Sequence, residues 1–91
     1  MATNAAWLEM DEPLLVHALQ GVVEKLDSAQ GEVLLDFSAV HRINAGALQA
    51  MEKLAAMADA KAVKVVLRGV NVSVYKVLTL TKLARRFRFL S

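Results

Sequence analysis

The chain contains no cysteine, which excludes a disulfide framework, a thiolate nucleophile and any cysteine-ligated metal site. Without such a staple, 91 residues must be held together by an apolar core alone. Aromatic residues make up only 5% of the chain while hydrophobic residues reach 56%, so the apolar content lies in aliphatic side chains and alanine. That balance suits helices packed closely on a flat layer better than a Trp- and Tyr-rich binding face. Long apolar runs are missing as well. The longest extends from Leu54 to Ala58, far short of the ~20 residues a membrane-crossing helix needs. The N-terminus lacks the basic and apolar regions of a signal peptide, so the expected location is cytoplasmic and the expected organisation a single domain over residues 1–91. The four glycines, at 21, 31, 46 and 69, form no phosphate-cradling cluster. Acid is absent from the last third. Residues 1–61 hold all nine acids and four bases, a balance of −5, whereas residues 62–91 hold seven bases, a balance of +7, beneath a net charge of +2.

What is present reads as alternating helices and strands. Asp11-Glu12-Pro13 is a helix-start signal, and Leu15, Leu19, Val22 and Leu26 follow at the spacing of one helical face, with Gln20, Glu24 and Lys25 off it. After the turn-like residues 27–31, Val33-Leu34-Leu35-Asp36-Phe37 is a short, nearly continuous apolar run, which predicts a strand covered on both faces. Ser38 to Arg42 is expected to be the loop at its C-terminal end. Asn44 is a suitable N-cap for a second helix with Leu48, Met51, Ala55 and Ala58 on one face and Glu52, Lys53 and Asp59 on another. Val63 to Leu67 is a β-branched run stopped by Gly69. Asn71 then caps a third helix that turns Val74, Val77 or Leu78, Thr81 and Ala84 inward. Phe87 and Phe89, alternating with Arg86 and Arg88, allow a short last strand or an extended tail. This alternation predicts an α/β layer with a mostly parallel sheet and right-handed crossovers, the sheet hidden by its helices.

Val33 to Val40, Arg42 to Leu48, Val63 to Asn71, and Val74-Tyr75-Lys76-Val77-Leu78 with Leu83 further on together resemble the STAS domain, the fold of anti-sigma factor antagonists. The resemblance spans residues 9–90 and is most specific from Val33 to Leu48. In that family a partner kinase phosphorylates a Ser or Thr at the start of a helix, where a phosphate adds nearly two negative charges to a surface otherwise open to the partner. The resemblance places the family's Asp on Asn44, its Ser/Thr cluster on Ala45 and Gly46, and its Gly on Ala47; shifted by one, so that Gly46 matches the family's Gly, it still leaves Ala45 where the acceptor should be. No hydroxyl is present there, so the acceptor-equivalent positions Ala45 and Gly46 cannot be phosphorylated. The family opens with two strands before its first helix; the ten residues ahead of Asp11 accommodate one at most, over residues 5–10, with the first hairpin largely missing. An open sheet edge invites self-association or an obligate partner.

The resemblance thus implies a non-enzymatic regulatory module acting by protein–protein contact, with Ser38, His41, Arg42, Asn44, Ala45, Gly46 and Ala47 as the partner-binding residues. The implied partner is an anti-sigma kinase-like protein. Gly69-Val70-Asn71 followed by Val74-Tyr75 also resembles a second branch of the family, small STAS subunits that bind the ATPase of a lipid-transporting ABC system. Ser38 follows its strand as a turn hydrogen-bonder or, less simply, a phosphate acceptor. Asp36 has no nucleophile or second carboxylate near it in sequence, which argues against catalysis. His17 and His41 have no ligand-spaced companions, so neither metal nor cofactor is expected. Lys82, Arg85, Arg86 and Arg88 form a basic segment whose first three members suit the negative end of the third helix. That segment is a candidate electrostatic contact, and nucleic acid is disfavoured as its ligand.

Overall fold

The computed structural model describes residues 7–28 and 31–90. Strands β1 (Leu8–Asp11), β2 (Glu32–Ala39), β3 (Lys64–Arg68) and β4 (Arg88–Leu90) alternate with helices α1 (Leu15–Glu24), α2 (Ala45–Ala60) and α3 (Val72–Leu80). The four strands lie in sequential order, β1-β2-β3-β4, and every pair is parallel. Of the predicted first strand, residues 5 and 6 lie outside the described residues, and the pairing begins at Leu8. The residues after Phe87 form a strand rather than a loose tail.

Sequential order determines the layering. Each crossover steps one strand in the same direction, so right-handed connections place α1, α2 and α3 on one face of the sheet. The core follows from this. Met10, Leu35, Phe37, Val65 and Leu67 point to the helix face and pack with Leu15, Leu19, Val22, Met51, Leu54, Ala55, Ala58, Val74 and Leu78. The opposite, open face carries Glu9, Leu34, Asp36, Val66, Arg68, Arg88 and Leu90, as the register pairs Glu9 with Asp36, Leu34 with Val66, Asp36 with Arg68, and Val66 with Arg88. The expectation of a sheet hidden by helices on both sides is therefore corrected. Apolar residues at successive positions of β2 and β3 do face both sides, and Val66 is buried outside the helix-side core.

Local departures have local causes. Asp11 belongs to β1 and makes no side-chain cap; Glu12–Leu14 form a 3₁₀ turn with Pro13 inside it, and α1 starts only at Leu15. Ser38 and Ala39 are strand, not loop, because β1 extends far enough for Asp11 to pair with Ala39. Both remaining helix ends are left-handed caps at non-glycine residues. Ala62 has φ 57° and Lys82 φ 65°, and the next amides, Val63 and Leu83, bond back to Ala58 and Leu78. Helix α3 therefore stops at Leu80, Thr81 is its C-cap, and Ala84 to Arg86 form a separate 3₁₀ turn. The bases Lys82, Arg85 and Arg86 lie beyond the last turn of α3, contrary to expectation, with Arg85 and Arg86 in the 3₁₀ turn that follows it.

Candidate functional site

The C-terminal ends of β2 and β3 build the site. Direct pairing of Asp36 with Arg68 sets their side chains together on the open face. Asp36 Oδ2 accepts from Arg68 Nε at 3.2 Å and Nη2 at 3.1 Å, while its Oδ1 accepts from the Ser38 hydroxyl at 2.6 Å and the Ser38 N–H at 2.9 Å. The Ser38 hydroxyl, then its N–H, and then Arg68 hold the Asp36 carboxyl below its ordinary value. The Arg68 guanidinium also lies 4.2 Å from the centre of the Trp7 ring, a cation–π contact across the open face. Gly69 takes φ 70°, and a Cβ there would fall 2.3 Å from Ser38 Oγ, so the turn leaving β3 presses directly on Ser38.

The loop between β2 and α2 is held from two sides. Glu12 Oε1 accepts the N–H of His41 at 2.7 Å and of Arg42 at 3.0 Å. These two backbone bonds are the leading causes of a lowered Glu12 pKa. From the other side, Asn71 Nδ2 donates to the carbonyls of His41 at 3.2 Å and Val40 at 3.4 Å, while Asn71 Oδ1 caps α3 by accepting from the Val74 N–H at 2.7 Å. Val40 itself is buried and anchors the loop to the core. A residue read only as a helix cap is thus also a clamp on the loop.

At the start of α2, Asn44 Oδ1 accepts from the Ala47 N–H at 2.8 Å. Asn44, Ala45 and Gly46 are exposed and Ala47 is buried. The Ala45 and Gly46 amides lie in the first turn, where the helix offers them no carbonyl. The nearest neighbours of a Cβ at Gly46 would be Asn44 Oδ1 at 3.5 Å and Val16 Cγ2 at 3.6 Å. That is ordinary contact, so a side chain fits. A groove between α1 and α2, of about 420 Å³ and lined by Val16, Gln20, Val23, Gly46 and Ala50 among others, runs from this point along the helices.

The structure thus gathers His41, Arg42, Asn44, Ala45 and Gly46 on one exposed surface. It sets Ser38 apart on the open face and Ala47 beneath. Sequence reasoning did not mark Val72, which directly follows Asn71 and is 82% exposed, or the half-exposed Leu90; Tyr75, part of the resemblance to the second branch, is half-exposed as well. An apolar residue at the first position of a helix gave no signal, since the same residue type fills the core. Lys82, Arg85, Arg86 and Arg88 are all exposed, and Arg86 pairs with Asp59 at the end of α2. Among the described residues no group of three or more His, Asp and Glu side chains could hold a metal ion. No helix among them is long and apolar enough to cross a membrane.

The family model for the STAS domain matches residues 2–91. The chain belongs to the STAS family. Among solved structures, STAS proteins share its fold. A Thermotoga maritima protein provisionally described as an anti-sigma factor antagonist superposes in its crystal structure with a TM-score of 0.73 at 20% identity, over 91% of this chain and 72% of that one. The NMR structure of the same protein gives a TM-score of 0.78 at 18% identity, over 100% of this chain and 78% of that one. No curated protein matches the sequence significantly.

Proposed function

We propose that this chain is a cytoplasmic regulatory module of the anti-sigma factor antagonist type, a single domain acting by protein–protein contact rather than by turnover. Its contact surface is the loop and helix start from His41 to Gly46, with Ala47 and Ser38 as supports. The observation that carries the proposal is the clamped loop. Glu12 and Asn71 hold its amides and carbonyls from opposite sides, so the exposed Asn44-Ala45-Gly46 surface is preorganised and little ordering entropy is lost on binding. With no hydroxyl at Ala45 or Gly46, the module stays in its binding-competent state, and a kinase-like partner has nothing there to modify.

Affinity capture with the full chain tests this. The expected partner is a soluble kinase-like protein, and Ala45→Glu, which brings negative charge to the open amides, weakens its binding at least tenfold or so. The natural chain takes up no phosphate within residues 38–48, whereas Ala45→Ser does. Capture that Ala45→Glu leaves intact, or phosphate incorporated in the natural chain over 38–48, contradicts the proposal. A second reading, a small subunit binding the ATPase of a lipid-transporting ABC system, draws on the exposure of Val72 and Tyr75 in the segment that resembles that branch. Co-purification with a membrane-associated ATPase, lost on Val72→Asp, selects it instead.

A further inference from the structure

Both sheet edges lack a neighbouring strand among the described residues, β1 on one side and β4 on the other. An edge strand presents a row of N–H and C=O groups ready to pair with another chain. Here the two edges carry opposite charge. Glu9 and Asp11 are exposed on β1; Arg88 is exposed on β4, which follows Arg85. None of these four forms an ion pair among the described residues.

The pleats match too. Glu9 lies on the open face and Met10 on the helix face, as Arg88 lies on the open face and Phe89 on the helix face. A second copy's β1, laid parallel beside β4 with Met10 next to Phe89, therefore brings Glu9 beside Arg88. A slip of one residue would turn the open face of one copy toward the helix face of the other. The β4 rim also offers apolar surface for a neighbour to cover. Tyr75 stands edge-on to Phe89 with ring centres 5.1 Å apart, and with Leu90 they line a depression of about 260 Å³.

We propose that the protein associates head to tail, the β1 edge of one copy adding to the β4 edge of the next, so that the parallel order continues across the contact. The occupant is a second copy because the chain itself carries the acidic, pleat-matched strand that complements Arg88-Phe89-Leu90. Such a contact is heterologous and does not close, so assemblies lengthen with concentration. Strands of four and three residues make each contact weak, and salt screens its charge component. This inference is independent of the surface at Ala45, so either can fail without the other.

Sedimentation of the full chain from micromolar to millimolar concentration is the test, with circular dichroism to verify folding of each variant. The average mass is expected to rise continuously with concentration and to fall with added salt. Glu9→Arg and Arg88→Glu each place like charges opposite one another and weaken association roughly tenfold. Mixed in equal amounts, the two variants associate as the natural chain does, because every contact between them is again complementary. A monomer at all concentrations, a mass that saturates at the dimer, variants that associate unchanged, or a mixture no better than either variant alone overturns the proposal.

Discussion

Asn71 donates its side-chain amide to the carbonyl of His41 at 3.2 Å, joining the start of α3 to a loop thirty residues earlier in the chain. Because the same side chain caps α3 through the Val74 N–H, its two ends can be tested separately. Asn71→Ala loses both roles and is expected to cost about 1–2 kcal/mol in urea unfolding. Asn71→Asp keeps the capping oxygen but turns the donor into a second acceptor facing two carbonyls. It should retain α3 yet speed amide exchange at His41 to Asn44. Equal exchange in Asp and natural proteins would show that the loop does not depend on this clamp.

Gly69 is required by geometry rather than by composition. Its φ of 70° is unfavourable for a residue with a Cβ, and that atom would lie 2.3 Å from Ser38 Oγ and 3.0 Å from the Ser38 N and Cα. Gly69→Ala is expected to destabilise by about 2–4 kcal/mol. Adding Ser38→Ala recovers only part of this, since the main-chain contacts remain. Full recovery in the double variant, measured as an unfolding cycle, would assign the whole clash to the hydroxyl.

Acid should loosen the site before the core. Glu12 and Asp36 both have lowered pKa values, Glu12 through the backbone bonds of His41 and Arg42, Asp36 first through Ser38. A carboxyl with a folded-state pKa below its unfolded one binds fewer protons when folded. Its stabilisation is full above the ordinary carboxylate range, about pH 4 to 5, and is lost as pH falls through the lowered folded values. Unfolding free energy should therefore decline below that range, and Glu12→Gln with Asp36→Asn should flatten the decline. An unchanged acid profile in the double variant would remove both groups from the account.

Trp7 is the only tryptophan, so its emission reports the Arg68 contact directly. Arg68→Met keeps an apolar stem but removes the charge above the ring and one partner of Asp36. With the Arg68 side chain close to half exposed, the expected loss is about 0.5–1 kcal/mol, accompanied by a shift in Trp7 emission. An identical spectrum would place the indole elsewhere in solution.

How much of this was legible depended on the range of each interaction. Asn44 and Asn71 were readable as caps because their partners lie three residues on, and Leu35, Leu19 and Met51 as core because periodicity is local. The loop clamp was not readable. Glu12 looked like part of a helix start, and the amides that donate to it are about thirty residues away. The single-sided layer depends on strands pairing in sequential order, which no local pattern encodes, and an apolar run such as Val65-Val66-Leu67 reads alike whether one face or both carry helices. Helix α3 was drawn too long because its end is a left-handed Lys82 rather than the glycine that usually marks such a cap. The family resemblance supplied the location of the proposed contact surface; the structure added the exposed Val72, next in the chain to the clamping Asn71.

In the proposed function the helix start of α2 is the contact surface. Titration of the isotope-labelled full chain with its captured partner, followed by amide chemical shifts, tests it most directly. Shifts centred on His41 to Leu48 and extending to Val72 are expected, as is their loss with Ala45→Glu. Shifts centred on β1, β4 or Arg85 and Arg88, with His41 to Leu48 unmoved, would contradict it.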